Sequence, residues 1–187
     1  MTSFMPSDPA PGAVYVAVVG PGQGAEEGDI EVARKVGYEL AQRGAVVVCG
    51  GLGGVMEAAC EGVARSNEEN KTDRQAIGLL PGRDRSKGNA HLSIALPTGL
   101  DELRNGLVVG VSDAVIAVGC SWGTLSEIAL AMRTSKPTVL IKNHGWEFSY
   151  PHNPPRDEPL TASTPEEAVE KALTAIAAIK ARRTGAT

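Results

Sequence analysis

Short apolar runs alternate along this chain with segments of helical periodicity, and this alternation limits the fold more than any other feature. Residues 14–19 form a β-branched run bounded by glycine, which is typical of a buried strand. Residues 26–43 then repeat apolar side chains at helical spacing, and Gly44 ends the predicted helix. Such alternation indicates right-handed βαβ units. The sequence therefore predicts an α/β fold with a mainly parallel sheet and helices on both faces.

The rest of the chain continues this pattern. We predict further strands at residues 45–48, 75–80, 92–96, 114–118 and 138–141, and helices at residues 53–65, 101–109 and 123–133. The strand at residues 138–141 is expected to close the sheet, and residues 143–159 are expected to form a long surface loop. A last helix is predicted with Thr164 as its N-cap, Pro165 at its first position and Glu167 completing a capping box.

Size and composition fit one globular domain. The chain has 187 residues, of which 42% are hydrophobic and 21% charged, which excludes a wholly disordered protein. We expect a disordered tail at residues 1–12, a domain at residues 13–182 and a frayed end at residues 183–187. No apolar stretch approaches the ~20 residues of a membrane span, and the N-terminus lacks the pattern of a secretion signal. These features predict a cytoplasmic protein without a membrane partner.

Charge and cysteine usage exclude further classes. The net charge is −4 and the basic residues are scattered, so a nucleic-acid partner is not expected. Cys49, Cys60 and Cys120 form neither a CxxC pair nor a metal-ligand spacing, so we predict free thiols and no metal site. Cys120 is the one thiol that lies in a glycine-flanked loop.

Three glycine-rich loops follow predicted strands, at residues 20–24, 50–54 and 119–124. In an open parallel sheet, ligands bind beyond the carboxyl ends of the strands, near the point where the strand order reverses. Glycine lets backbone N–H groups approach a ligand closely, and a helix N-terminus that follows favours a phosphate. The three loops together predict a nucleotide-like anionic ligand.

Two common kinds of nucleotide site do not fit the sequence. A dinucleotide-binding fold has an acidic residue at the end of its second strand, but Cys49 and two glycines stand there. The chain also lacks the G-x-x-x-x-G-K-[ST] pattern of P-loop ATPases. NAD-dependent oxidoreductases and kinases are therefore not expected.

Two charged residues admit both a structural and a functional interpretation. Thr124 and Glu127 have the spacing of a capping box, in which Glu127 merely binds the start of a helix. Arg104 is equally consistent with a solvated arginine on a helix surface. The residues alone leave both interpretations open.

The chain resembles the Lonely Guy superfamily in the motifs at residues 50–57, 98–99, 104–105, 123–127 and 136–137. The resemblance covers residues 14–141. It is closest to the bacterial nucleotide-binding branch that includes the molybdenum-cofactor carrier proteins. The resemblance implies a single Rossmann-like domain that binds a nucleotide or a phosphorylated cofactor.

The cytokinin-activating members of this superfamily carry the motif P-G-G-x-G-T-x-x-E. Its glutamate and an upstream arginine are needed to cleave a nucleoside 5′-monophosphate, and the matching residues here are Glu127 and Arg104. The chain departs from the motif in three places. Gly119-Cys120-Ser121 replaces Pro-Gly-Gly, and the aromatic residue in the middle of the motif is Trp122. Asn105 follows the arginine where the cleaving enzymes have lysine. These departures are typical of the carrier-like branch.

The resemblance implies two main functions. A hydrolase would release the free base and ribose 5-phosphate, with Glu127 beside the anomeric carbon and Arg104 holding the ribose or phosphate and keeping Glu127 ionised. A carrier or sensor would hold a phosphorylated ligand such as molybdenum cofactor without turnover. A DNA-processing role is disfavoured by the acidic charge. Neither main function requires a metal or a bound cofactor. The residues expected to bind the ligand or its phosphate are Gly20, Gly51, Gly53, Gly54, Asn105, Gly119, Ser121, Trp122, Gly123 and Thr124.

We also expect the protein to form a homo-oligomer. The aromatic share is only 4%, and the apolar helix stripes exceed what a sheet of this size covers. Members of the superfamily are commonly dimers. The expected assembly is a homodimer or larger, held by helix-on-helix packing.

Overall fold

The computed structural model describes residues 12–141 and 158–184. The strands are β1 Tyr15–Val19, β2 Val46–Cys49, β3 Ala76–Leu80, β4 Ile94–Pro97, β5 Ala114–Val118, β6 Thr138–Ile141 and β7 Leu160–Ala162. The helices are α1 Glu27–Gln42, α2 Val55–Asn70, α3 Asn105–Gly110, α4 Trp122–Arg133 and α5 Pro165–Thr184. Short 3-10 helices lie at Arg85–Lys87 and Asp101–Arg104. The second of these leads directly into α3, where the sequence predicts one continuous helix.

The strands form one parallel sheet in the order β4-β3-β2-β1-β5-β6-β7. This arrangement confirms the predicted α/β fold. The prediction that β6 closes the sheet is wrong, because β7 pairs with β6 and forms the edge. The strand order reverses between β1 and β5, so a ligand crevice is expected beyond their carboxyl ends.

Two apolar cores lie on opposite faces of the sheet. The larger core combines residues of α1, α2 and α5, such as Val36, Val63 and Ile176, with one face of the strands. The smaller core contains Val108 of α3 and Ile128 of α4 against the other face. Because the strands are covered on both sides, β5 is buried along its whole length. None of the described helices is long and apolar enough to cross a membrane.

The start of α5 follows the predicted capping pattern. The Thr164 Oγ1 accepts a hydrogen bond from the Glu167 backbone N–H at 3.2 Å, and Glu167 Oε2 accepts one from the Ser163 N–H at 2.7 Å. The N-terminal tail and the last residues of the predicted frayed end, residues 1–11 and 185–187, lie outside the described residues. So does nearly all of the predicted surface loop, residues 142–157.

Candidate functional site

The three glycine-rich loops lie side by side at one edge of the sheet. They follow β1, β2 and β5, which are neighbours in the order β2-β1-β5. Because all strands are parallel, their carboxyl ends meet at this edge. The fold therefore brings the three predicted loops to the point where the strand order reverses.

Glycine in these loops lets the loops pack on each other. The Val55 N–H donates to the Pro21 carbonyl oxygen at 3.0 Å, which ties the start of α2 to the loop after β1. A Cβ atom at Gly54 would lie 2.2 Å from the Gly22 carbonyl oxygen, and one at Gly20 would lie 2.3 Å from the Val118 carbonyl oxygen. These predicted ligand-binding glycines are therefore required by contacts within the protein.

The other predicted glycines divide into two groups. A Cβ at Gly51 would lie 2.5 Å from a methyl carbon of Leu80, and one at Gly119 would lie 2.2 Å from a carboxylate oxygen of Asp29. A Cβ at Gly53 or Gly123 would meet no heavy atom closer than 3.6 Å. Gly53 and Gly123 are thus the positions where the loops leave room for a ligand.

Ser121 is the N-cap of α4. Its Oγ accepts a hydrogen bond from the Thr124 N–H at 3.2 Å, and α4 begins at Trp122. The interpretation of Thr124 and Glu127 as a capping box is therefore wrong: Thr124 is the third residue of the helix, and Glu127 lies beyond its first turn.

The beginning of α4 can receive an anion through two backbone groups. The Thr124 N–H is taken by the Ser121 side chain, and the Leu125 N–H by the Ser121 carbonyl oxygen. The N–H groups of Trp122 and Gly123 have no intrahelical acceptor and remain for a ligand. The Thr124 side chain is buried, with its Oγ1 2.9 Å from Ser121 Oγ. Trp122 is 87% exposed at the rim of the site.

A buried pair of opposite charges lies next to these loops. The Arg104 Nη1 is 3.6 Å from Glu127 Oε1, and both side chains are buried. The interpretation of Arg104 as a solvated arginine is therefore wrong. Arg104 also donates to Asn105 Oδ1 at 2.6 Å, and Asn105 Nδ2 donates to Ser126 Oγ at 3.0 Å. Asn105, a predicted ligand-binding residue, is thus engaged in orienting Arg104.

Burial raises the pKa of the Glu127 carboxyl to about 7, and Arg104 lowers it only in part. Arg104 therefore favours the ionised form of Glu127, as expected, but does not outweigh the effect of burial. The desolvation of this carboxylate costs more free energy than its attraction to the nearby guanidinium provides. Near neutral pH, Glu127 exists in both its protonated and ionised forms.

Gly50 and Ser126 belong to this site, although the sequence does not single them out. A Cβ at Gly50 would lie 2.5 Å from Cζ, Nη1 and Nη2 of Arg104, so the guanidinium lies directly against the Gly50 backbone. Ser126 reaches Arg104 through Asn105. The glycine run at residues 50–54 is a pattern from which a role of Gly50 in the site could have been predicted. No pattern identified Ser126.

All three cysteines are free thiols. Cys49 and Cys60 are buried with their Sγ atoms 3.6 Å apart, and the Gly51 N–H donates to Cys49 Sγ. The hydrogen bond from Cys60 lowers the pKa of Cys49, and the same contact raises the pKa of Cys60. Burial raises the pKa of Cys120 to about 11, with a smaller contribution from Asp29. Cys120 is therefore a weak nucleophile at neutral pH.

A separate cavity of about 210 Å³ lies between the end of α4, the beginning of β6 and α5. Its lining includes Pro137, Leu160 and Ala178, and none of the predicted site residues. The described residues also contain no cluster of three or more His, Cys, Asp or Glu side chains able to hold a metal ion. The charged and glycine-lined edge of the sheet is therefore the candidate site.

Comparisons with known proteins identify relatives in sequence and in fold. An uncharacterized protein of Archaeoglobus fulgidus is 35% identical over 129 residues, which cover 69% of this chain and 80% of that protein. The molybdenum cofactor binding protein of Rippkaea orientalis is 30% identical with a TM-score of 0.72, covering 91% of this chain and 99% of that one. The molybdenum cofactor carrier protein of Chlamydomonas reinhardtii is 25% identical with a TM-score of 0.72, covering 89% and 99%.

These structural neighbours support the predicted likeness to molybdenum-cofactor carriers. They do not establish a Lonely Guy assignment, which stays a prediction. The family model of SLOG cluster4 matches residues 13–169, which are most of this chain. The chain therefore belongs to the SLOG cluster4 family.

Proposed function

We propose that this protein binds a small phosphorylated ligand at the carboxyl edge of its sheet and carries it without turnover. The ligand is a nucleoside 5′-monophosphate or a phosphorylated pterin such as molybdenum cofactor. The observation that carries the proposal is a buried arginine lying next to an open helix N-terminus, because both favour an anion. The names of the relatives from R. orientalis and C. reinhardtii, as proteins that bind or carry molybdenum cofactor, support the same ligand class.

Arg104 retains an unused donor for a ligand. Its Nε is buried and has no hydrogen-bond acceptor. A buried donor without an acceptor costs roughly 1–3 kcal/mol. An oxygen atom of the ligand that accepts from this Nε would remove that cost. The arginine thereby gains more from an anionic ligand than a fully satisfied side chain would.

Glu127 repels a nearby anion less than a glutamate of ordinary pKa would. With a pKa of about 7, a large share of its carboxyl is protonated at neutral pH and does not repel a phosphate. The protonated form also donates a hydrogen bond. Glu127 therefore acts in the proposed carrier as a neutral partner of the ligand.

Hydrolysis of the N-glycosidic bond is the second candidate function. A buried carboxyl with a raised pKa beside an arginine is typical of catalytic groups. The ionised form of Glu127 could stabilise an oxocarbenium-like sugar or activate water. Against this, Asn105 replaces the lysine of the cleaving enzymes and binds Arg104.

Binding is tested by calorimetry with AMP, GMP and inorganic phosphate, and with purified molybdenum cofactor by measuring the molybdenum retained after gel filtration. We expect one of these ligands to bind. Gly123→Leu should abolish that binding by filling the space in front of α4. Gly123→Ala is the matched control, because its Cβ would meet only ordinary contacts at 3.7 and 3.8 Å. Unchanged affinity in Gly123→Leu would place the site elsewhere.

Turnover is tested with a panel of nucleoside 5′-monophosphates, measuring free base and ribose 5-phosphate. The carrier proposal expects no product from the wild-type protein. Release of a base that falls by orders of magnitude in Glu127→Gln, with binding retained, would establish the hydrolase instead. Arg104→Ala should weaken binding under either function.

A further inference from the structure

Two buried thiols lie next to the second glycine-rich loop. Cys49 is the last residue of β2 and Cys60 belongs to α2, and their Sγ atoms are 3.6 Å apart. The sulfur atoms of a disulfide are about 2.05 Å apart, so an approach of about 1.5 Å would bring these two to bonding distance. The two thiols already touch, and a bond between them requires only a small rearrangement.

The glycine-rich loop lies between the two cysteines along the chain. They are 11 positions apart, and the segment that separates them contains residues 50–54. Gly50 is bonded directly to Cys49, and the Gly51 N–H donates to Cys49 Sγ at 3.3 Å. A bond between Cys49 and Cys60 would therefore close a covalent ring that contains the whole loop.

One contact connects the thiol pair with the surface of the protein. Asn89 Nδ2 donates to Cys60 Sγ at 3.9 Å and to the Leu52 carbonyl oxygen at 3.1 Å. Asn89 and Leu52 are both half-buried, whereas the two thiols are fully buried. An oxidant must therefore be as small as hydrogen peroxide, and it enters when this layer of residues opens locally.

Cys49 is the thiol that reacts first with an oxidant. The hydrogen bond from Cys60 lowers the pKa of Cys49 against the opposing effect of burial. The Gly51 N–H and the positive charge of Arg104 also lower this pKa. A thiolate is the reactive form of cysteine in such oxidation. The same contact raises the pKa of Cys60, so Cys60 is the thiol that resolves the intermediate.

We propose that Cys49 and Cys60 form a reversible disulfide that controls the anion site. Cys49 sulfur attacks one oxygen of hydrogen peroxide, the O–O bond breaks, and the departing hydroxide takes the Cys49 proton to become water. Cys60 sulfur then attacks the sulfur of the resulting S–OH group, and the departing hydroxide takes the Cys60 proton. Two thiols and one peroxide thus give one disulfide and two water molecules. A dithiol reductant restores both thiols by exchange.

The disulfide acts on the site through Arg104. A Cβ at Gly50 would lie 2.5 Å from three atoms of the Arg104 guanidinium, so the backbone and the guanidinium are in close contact. Movement of Cys49 toward Cys60 shifts Gly50, and Arg104 must move with it. The oxidised protein should therefore bind an anion less tightly. This coupling rests on the proposed function, whereas the disulfide itself does not.

Mass spectrometry tests the disulfide without any ligand. The wild-type protein is exposed to hydrogen peroxide, unfolded, alkylated without reductant and digested with trypsin. Both cysteines are then released in one peptide, residues 44–65. We expect this peptide to be lighter than its reduced form by two hydrogen atoms and to carry no alkyl group. Treatment with dithiothreitol should restore two thiols that can be alkylated.

Two variants serve as controls for this measurement. Cys120→Ala keeps the pair and should form the same disulfide, whereas Cys60→Ala should leave Cys49 without an internal partner. Circular dichroism verifies that each variant is folded. Two alkylated thiols in the wild-type peptide after a day in excess peroxide overturn the disulfide, and so does oxidation of Cys49 alone. Neither of these outcomes depends on a variant.

Calorimetry with inorganic phosphate tests the control of the site. The oxidised wild-type protein should bind phosphate roughly five- to fiftyfold more weakly than the reduced protein. By linkage, saturating phosphate must raise the midpoint reduction potential of the pair by about 30 mV for each tenfold difference in affinity. Equal affinities overturn the control of the site. Absence of binding to the reduced protein contradicts the proposed function and the coupling together, while the peptide mass still decides the disulfide.

Discussion

Arg104 occupies the space that any side chain at position 50 would need. We expect Gly50→Ala to displace the guanidinium, because its Cβ would lie 2.5 Å from three guanidinium atoms. The free energy of unfolding should fall by about 1–3 kcal/mol, the usual cost of overpacking, and ligand affinity should fall as well. Urea unfolding and calorimetry measure the two effects.

The coupling between positions 50 and 104 provides the control for this prediction. If Arg104 is the obstacle, Gly50→Ala should cost far less stability in an Arg104→Ala background, with a coupling of about 0.5–3 kcal/mol. Gly28→Ala, at an exposed position with no heavy atom within 4 Å of the added Cβ, should not reduce stability. Additive effects at positions 50 and 104 would contradict the close contact.

Glu127 makes stability depend on pH near neutrality. Its pKa rises from 4.5 to about 7 on folding, so the folded state holds its proton over a range where the unfolded state loses it. The stability due to this group is fully present below pH 4.5 and is lost as the pH rises through about 7. Between pH 5 and 8, the wild-type free energy of unfolding should fall by roughly 2–3 kcal/mol relative to Glu127→Gln.

Urea unfolding of both proteins at several pH values measures this difference. The glutamine side chain of the variant imitates the protonated carboxyl and cannot titrate, so the variant should be the more stable protein at pH 8. Parallel pH profiles for the two proteins would show that Glu127 does not have a raised pKa.

Among the secondary-structure elements, the capping box of α5 makes a measurable contribution to the free energy of unfolding. Thr164→Ala removes the acceptor of the Glu167 N–H and should lower the free energy of unfolding by about 1 kcal/mol. Thr174→Ala removes the same atoms from an exposed position inside α5, where alanine is the better helix former, and should be neutral or stabilising. Equal losses in the two variants would argue against the cap. Thermal or urea unfolding is sufficient for the comparison.

Sequence patterns predicted the elements that have a strong period and missed those defined by their neighbours. The alternation of strands and helices identified β1 through β6 and the glycine loops, because buried strands and amphipathic helices leave local signals. β7 has only three residues, Leu160–Ala162, and is a strand because it pairs with β6. Ser121 and Thr124 both have capping side chains, and the backbone that leaves β5 decides that Ser121 is the cap.

The site could be predicted in part for the same reason. Arg104 and Glu127 were identified by resemblance, but their burial and separation follow from the packing of α3 against α4. The desolvation that raises the pKa of Glu127 depends on the tertiary packing around it and cannot be predicted from the sequence. The contact of Arg104 with Gly50 joins distant parts of the chain and leaves no local pattern.

For the whole molecule, the homodimer that the family resemblance implies would make thermal stability depend on protein concentration. Association stabilises the folded state by mass action, and a tenfold increase in concentration adds about 1.4 kcal/mol per dimer. The melting temperature should therefore rise by roughly 2 °C per tenfold increase. Scanning calorimetry at several concentrations tests this, and a concentration-independent wild type contradicts it.

The position of α5 in the larger core has a consequence for synthesis on the ribosome. Val169, Ala172 and Ile176 of α5 pack in the same core as Val36 of α1, although β2 through β7 lie between the two helices along the chain. A nascent chain that already contains β1 through β6 still exposes the apolar surface that α5 covers. A chain that is cut before Pro165 should therefore be prone to aggregate, because its larger core stays open to water.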